Sequence, residues 1–260
     1  MIVEIIRTEA ISLQNQQVDY LLVPNAILLL LQDGTARLLN LDGEFYAISA
    51  TGALILKETL KGGSTTAVNR LVAEYELDTT QALNDVLVFL QGLENKGVIY
   101  HRKDSSPQVK GIGFDLSLLT LPLLWLISSL PASLQIRTWL ALALAYFSIR
   151  LFGLPGTIKA WQTPKRQASL IADNQKMTFL MKSVDLAVCE ATACHLLKVE
   201  CKERALCSWW LALLAGIPAQ IKLGVYLFPF ASHCWCEVSS EVIGDDKERC
   251  EHFTSVLTYE

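Results

Sequence analysis

Cys201-Lys-Glu-Arg-Ala-Leu-Cys-Ser-Trp-Trp210 opens a stretch that continues through Gly216-Ile-Pro218, an alternating segment to Tyr226, Ser232-His233-Cys-Trp-Cys-Glu237 and Gly244-Asp-Asp246. Leu206, Trp209, Trp210, Leu213 and Leu214 recur at the three-and-four spacing of one helix face, which predicts a helix over 201–215 stopped by Gly216 and Pro218. Ala219, Ile221, Leu223 and Val225 alternate with more polar residues, the period of a half-buried strand. A second strand follows, with His233, Trp235 and Glu237 on one face. Cys201 then lies in the first turn of a helix, where unpaired amides and the helix dipole favour a thiolate. A histidine on a neighbouring strand can take the thiol proton, and a carboxylate can hold that ring in the useful tautomer. This pattern points to a cysteine nucleophile, Cys201, with His233 as its base. The orienting acid is Asp245 or Asp246, with Glu237 on the His233 face as the fallback. Neighbouring residues on a strand face opposite ways, so only one of the two aspartates can serve.

The other reactive side chains read differently. Cys207 lies six residues after Cys201 on the same helix, beside Trp209, and is expected as a small core residue. Cys234 and Cys236 share the strand face opposite His233 and could join Cys189 or Cys194 around a soft metal. Their spacing fits no zinc pattern of paired C-x₂-C type, so no metal is expected. His195, among apolar residues, is expected to pack or cap, and His101 and His252 sit in polar surroundings.

The 260 residues suffice for one large or two small domains, and the net charge of −4 supplies no basic field for nucleic acid. Mean hydropathy is high for a soluble protein, at +0.33, so a well-buried or membrane-facing apolar region must exist. Met1-Ile-Val-Glu-Ile-Ile-Arg7 lacks the basic and apolar regions of a signal peptide, and seven cysteines are an odd number. Reduced thiols and a cytoplasmic location are expected.

Residues 1–48 read as strands. Val18–Val23 and Ala26–Leu31 are apolar runs, Asp33-Gly34 and Asp42-Gly43 are turn signals, and Ala36–Leu41 and Phe45–Ile48 complete the set. Ser49 can cap a helix that stops at Gly62-Gly63, Thr65 or Thr66 a second through Tyr75, and Asp78 or Thr79 a third near Ala82–Leu93. On the third, Leu83, Val86, Leu87 and Leu90 are expected to share one face. A polar, turn-rich linker is expected at 101–115, with Arg102-Lys-Asp-Ser-Ser-Pro107 and Gly111-Ile-Gly113. Leu116–Ile136 carries no charge, and Trp139–Ile149 is again apolar. Prolines 122 and 131 cut the first run into pieces, and Arg137, Arg150 and Lys159 interrupt the rest. A pair of helices packed on the C-terminal core is the first expectation, peripheral membrane contact the second. Residues 163–182 are expected as a polar connector, and Ser183 or Asp185 as the start of a helix through Leu197.

Two resemblances add to this reading. Cys201-Lys-Glu-Arg-Ala-Leu206, Gly216-Ile-Pro-Ala219, the strand ending Leu-Gly-Val225 and Ser-His233-Cys-Trp-Cys-Glu237 resemble the transglutaminase-like cysteine peptidase of lasso-peptide biosynthesis, the B protein. Lys202 stands where that family has Leu, and Cys234 and Cys236 where it has Ala and Val or Ile. The resemblance implies Cys201 as nucleophile, His233 as base and Asp245 as acid. Leu39–Ala53, Leu60-Lys-Gly-Gly63 and Asp85–Leu90 are similar to PqqD-like peptide-recognition domains. That implies a winged-helix-like module which takes a leader peptide as an added strand against its sheet edge and third helix.

Together these imply an α+β protein in two parts. Residues 1–100 would form the PqqD-like leader-recognition domain and 101–115 the linker. Residues 116–260 would form a papain- or transglutaminase-like cysteine peptidase domain, with 116–160 as its apolar helical segment and 183–260 as its catalytic core. The implied function is leader cleavage from a ribosomally made precursor peptide, in the making of a lasso peptide. The implied partner is an asparagine-synthetase-like cyclase. No cofactor is expected for this chain, ATP entering only through the cyclase. A precursor-binding chaperone without activity and an acyl transferase of the transglutaminase type are the alternatives.

Overall fold

Turn residues between apolar runs set the N-terminal topology, because each run can bury a face only by folding back on its neighbour. The computed structural model describes residues 1–7, 18–41, 44–102, 117–162 and 174–260. The Asp42-Gly43 turn, most of the expected linker and the first part of the polar connector lie outside them. The chain forms two units, Met1–Lys110 and Gly111–Glu260.

In the first unit, strands β1 (Ile2–Ile6), β3 (Ala26–Leu31), β4 (Ala36–Asn40) and β5 (Phe45–Ile48) form an antiparallel sheet in the order β1-β3-β4-β5. Every residue of β3 is buried, which explains its unbroken apolar sequence. Strand β2 (Tyr20–Leu22) pairs instead with β6 (Ile99–His101), a strand not expected from the sequence. Helices α1 (Ala50–Gly62), α2 (Ser64–Tyr75) and α3 (Thr79–Asn95) cover one sheet face. Ser49 caps α1 by accepting from the Gly52 amide, and Asp78 caps α3 by accepting from the Thr80 and Gln81 amides. Helix α2 starts earlier than expected. Gly63 is its N-cap residue, and the Thr66 hydroxyl, already inside the helix, donates to the Gly62 carbonyl.

The inward face of α3 also differs from expectation. Ala82, Val86, Leu90 and Leu93 are buried, whereas Leu83 and Leu87 are exposed. Ala82 takes the core place because a stripe stepping by four residues includes it and excludes its apolar neighbours.

The second unit places helices on one face of a second antiparallel sheet. Helix α4 (Ser117–Ser129) holds Pro122 inside it, so the expected break there is absent, and the chain turns only around Pro131. Helix α5 (Leu134–Trp161) is kinked at Gly153. It is long and apolar enough to cross a membrane, yet Thr138, Ala141, Leu142, Ala145 and Ile149 form a buried inner stripe. Helix α6 (Asn174–Ala193) begins well before Ser183. Met177, Leu180 and Met181 lie at helical spacing and pack on the core, which extends the helix into the expected polar connector. Helix α7 (Cys201–Leu214) lies between these helices and the sheet, whose order is β10-β7-β8-β9: β10 (Thr254–Tyr259), β7 (Gln220–Leu227), β8 (Phe230–Val238) and β9 (Glu241–Ile243). Helix α8 (Lys247–Glu251) connects β9 to β10.

Trp161, Trp209 and Trp210 are each at most 2% exposed. At 150–250 Å² apiece, their burial contributes an upper bound of roughly 4–6 kcal/mol each. Trp209 also donates its indole N–H to the Ala219 carbonyl (3.0 Å), which fixes α7 against the start of β7.

Candidate functional site

The site is built on the first turn of α7. Glu203, 1% exposed, accepts from the Glu200 amide (2.9 Å) through Oε2 and from the Arg150 guanidinium on α5 (2.6 Å) through Oε1. A buried carboxylate thus fixes where α7 begins, and Cys201 is its first residue. The arginine that interrupts the apolar run of α5 is the partner this carboxylate needs.

Strand β8 carries His233 and Cys234, both buried. Successive residues on a strand point to opposite faces. Cys234 and Cys236 face the helical core, while the His233 ring packs against Trp235 (6.2 Å between centroids) and Phe253 (5.1 Å). This aromatic packing needs Gly224 opposite His233 on β7, where a Cβ would lie 2.8 Å from both Trp235 and Phe253.

Asp245 completes the cluster. Its Oδ2 lies 3.0 Å from His233 Nε2, and both side chains are at most 4% exposed. Asp245 and Asp246 lie in the bend after β9 and not on a strand, so strand alternation is not what separates them. Asp246 is the N-cap of α8, accepting from the Glu248 (2.9 Å) and Arg249 (3.4 Å) amides, and its own amide donates to Asp245 Oδ1 (2.8 Å). Glu237, the fallback acid, is engaged elsewhere. It accepts from Lys222 Nζ (2.5 Å) and from the Trp235 indole (3.1 Å).

Several groups that sequence reasoning had not singled out hold Asp245 in place. Arg204 donates through Nε to the Gly244 carbonyl (3.0 Å) and pairs with Asp245 Oδ1 (3.5 Å). From α6, Asp185 accepts from the Gly244 amide (2.7 Å). Gly244 itself has a φ of +75°, and a Cβ there would collide with Ser208 on α7. Cys250 on α8, buried, lies beside the ring, with ligand atoms of His233, Asp245 and Cys250 all within 4.8 Å of one another. The sequence held a signal for it: Asp246 is a good N-cap four residues before Cys250, which predicts a turn of helix bringing that thiol back toward the strand.

The electrostatics favour an ion pair. Burial alone would push the Cys201 thiol up. The His233 ring, the Cys234 backbone N–H and the positive charges of His233 and Lys202 outweigh it and hold Cys201 below its ordinary value. Lys202, the departure from the family pattern, therefore adds to thiolate stability. For His233, burial works against the charged form, but the protonated ring's interactions with the Asp245 carboxylate, Cys201 and Cys250 prevail and raise it to about 11. Burial likewise opposes the Asp245 carboxylate, and the His233 hydrogen bond, the Asp246 amide and Arg204 hold it below its usual range. With Nε2 engaged by Asp245, the ring nitrogen left for the Cys201 thiol is Nδ1. A thiolate–imidazolium pair backed by a carboxylate can attack a carbonyl carbon and deliver a proton to a leaving amine.

Cys207, Cys234, Cys236 and His195 have structural places. Cys207 is fully buried with its thiol against the Thr138 carbonyl, and burial pushes it, Cys234 and Cys236 well up. Among the described residues, the cluster of metal-ligating side chains is His233, Asp245 and Cys250, not the Cys234–Cys236 pair. His195 stacks on Trp139 and its Nδ1 accepts from the Leu197 amide in the loop before α7, so it packs, one of the two expected roles, and closes a local turn.

Residues 140–258 match the model of the transglutaminase-like superfamily, and residues 28–99 match that of coenzyme PQQ synthesis protein D (PqqD). The chain has the fused architecture of the lasso-peptide B proteins. No curated protein and no solved structure matches it. The fold is accordingly α+β, a PqqD-type unit followed by a transglutaminase-like one. These matches support recognition of a ribosomally made precursor peptide by the first unit and a peptidase-like role for the second.

Proposed function

We propose that the protein is the leader peptidase of a lasso-peptide pathway, cutting the leader–core bond of its precursor with Cys201, His233 and Asp245. The observation that carries this reading is the buried Asp245 carboxylate 3.0 Å from His233 Nε2, on a ring that holds the Cys201 thiol below its ordinary value. In the proposed reaction, the Cys201 thiolate attacks the scissile carbonyl. The oxyanion accepts from the Cys201 backbone N–H, which in the first turn of a helix has no intrahelical carbonyl. His233 then gives its proton to the departing amine. Water, deprotonated by the same ring, hydrolyses the thioester and frees the leader.

Leader binding is proposed at the β5 edge of the first unit. The Asn40 amide bonds to the Glu44 carbonyl, so the antiparallel alternation turns the Tyr46 and Ile48 backbone groups toward β4 and those of Ala47 outward. Exposed Leu83 and Leu87 on α3 offer apolar contacts to an added strand. Holding the leader there raises the effective concentration of the cut site at Cys201.

The test is the mass of the precursor peptide encoded beside this protein after incubation with the parent chain and with Cys201→Ala. Cleavage at one junction that the variant abolishes supports the reading. Equal cleavage by both refutes Cys201 as nucleophile, and a cross-linked product would show acyl transfer instead. A parallel arm with cyclase and ATP present tests whether the proposed partner is needed.

A further inference from the structure

Cys250 has no part in the chemistry above, yet it is buried against the general base. His233, Asp245 and Cys250 each offer one ligand atom, and these atoms all lie within 4.8 Å of one another. Ligand atoms on a tetrahedral zinc ion, about 2.0–2.3 Å from the metal, are separated by about 3.4 Å, so sub-ångström to ångström movements would close the set on an ion. Thiolate, imidazole and one carboxylate make a soft, mixed donor set. It suits zinc-type ions and gives too few oxygens for calcium or magnesium.

We propose that His233, Asp245 and Cys250 form an inhibitory site for a soft divalent cation of the zinc type. The ion takes the Nε2 lone pair of His233, one Asp245 oxygen and the Cys250 thiolate. Solvent takes the Cys250 thiol proton and the proton held between Nε2 and Asp245. A metal on Nε2 leaves the ring's remaining proton on Nδ1, so the imidazole can accept none from Cys201, and the Asp245 carboxylate no longer orients it. The catalytic and metal-bound arrangements therefore exclude each other. Cys250 sets this site apart from an ordinary Cys–His pair, because it adds a further protein ligand to the His233–Asp245 pair.

The inhibitory consequence rests on the peptidase reading; the binding does not, so the two are tested apart. Cobalt(II) is titrated anaerobically into the full-length Cys201→Ala protein. One equivalent is expected to give a sulfur-to-cobalt charge-transfer band, abolished by zinc and absent from Cys201→Ala/Cys250→Ala. Circular dichroism of the double variant guards against unfolding. In the parent protein, zinc is expected to slow iodoacetamide labelling of Cys201 at least ~10-fold, reversibly with a chelator, and Cys250→Ala is expected to need at least ~10-fold more zinc for the same protection. No band in Cys201→Ala, or an equal band without Cys250, overturns the proposal. Labelling protected equally with and without Cys250 overturns it as well.

Discussion

Gly244→Ala is the sharpest probe of how the acid is held. At a φ of +75° an L-residue is strained by about 1–2 kcal/mol. The new methyl would also fall on Ser208 Oγ and 3.0 Å from Val188 Cγ1, and overpacking of that kind costs about 1–3 kcal/mol. The sum, about 2–5 kcal/mol, should appear as a lower urea midpoint at unchanged slope. Function should suffer further, because Gly244 is gripped from both sides by Asp185 and Arg204 and carries Asp245 next to it. Displacing the carboxylate by about 1 Å should slow alkylation of Cys201 at neutral pH on the order of 10- to 100-fold. Ser208 offers the control. Its hydroxyl is buried without a partner, so Ser208→Ala alone should be neutral or stabilising by up to about 1 kcal/mol. In the double variant the part of the steric share due to Ser208 Oγ should return, while the Val188 contact and the backbone strain stay. A Gly244→Ala protein within about 0.5 kcal/mol of the parent, or a double variant that recovers nothing, would refute this account of the bend.

Three further outcomes follow from the geometry. The pH dependence of Cys201 alkylation, followed by peptide mass mapping, should inflect below the ordinary thiol value of about 9, since the thiolate persists to lower pH; His233→Ala removes the main lowering influences but not the burial, so its inflection should move upward. Ala47→Pro deletes an outward-facing amide without touching the β4–β5 ladder, so leader-peptide binding measured by fluorescence anisotropy should weaken at least ~10-fold at unchanged melting temperature. Arg150→Ala leaves the Glu203 carboxylate buried without its charged partner and should cost roughly 1–3 kcal/mol in chemical denaturation, discounted because the arginine is partly exposed; adding Glu203→Gln should recover part of it, and no recovery would refute the charge argument.

Periodicity made the catalytic half legible where one residue type faces one environment. The β7 alternation and the caps at Ser49 and Asp78 follow from local rules, whereas α7 is buried nearly all round and Leu214, expected on its inner face, is exposed. Periodicity failed where tertiary packing chose among equivalent local options. Leu83 and Leu87 are as apolar as Val86 and Leu90, but the four-residue stripe through Ala82 is the one pressed against α1 and α2. Asn174–Lys182 looks polar by composition, yet three apolar side chains at helical spacing suffice to dock it on the core.

The Asp245–Asp246 choice lies between these cases. Treated as strand residues they are indistinguishable. In the bend, the decision comes from a helix that has to start immediately after it. Asp246 accepts from two orphan amides of α8, and that capping role fixes its side chain away from the ring. Asp245 is then the carboxylate left to face His233. The same short helix returns Cys250 to the imidazole, so the N-cap that resolves the acid also accounts for the thiol beside it.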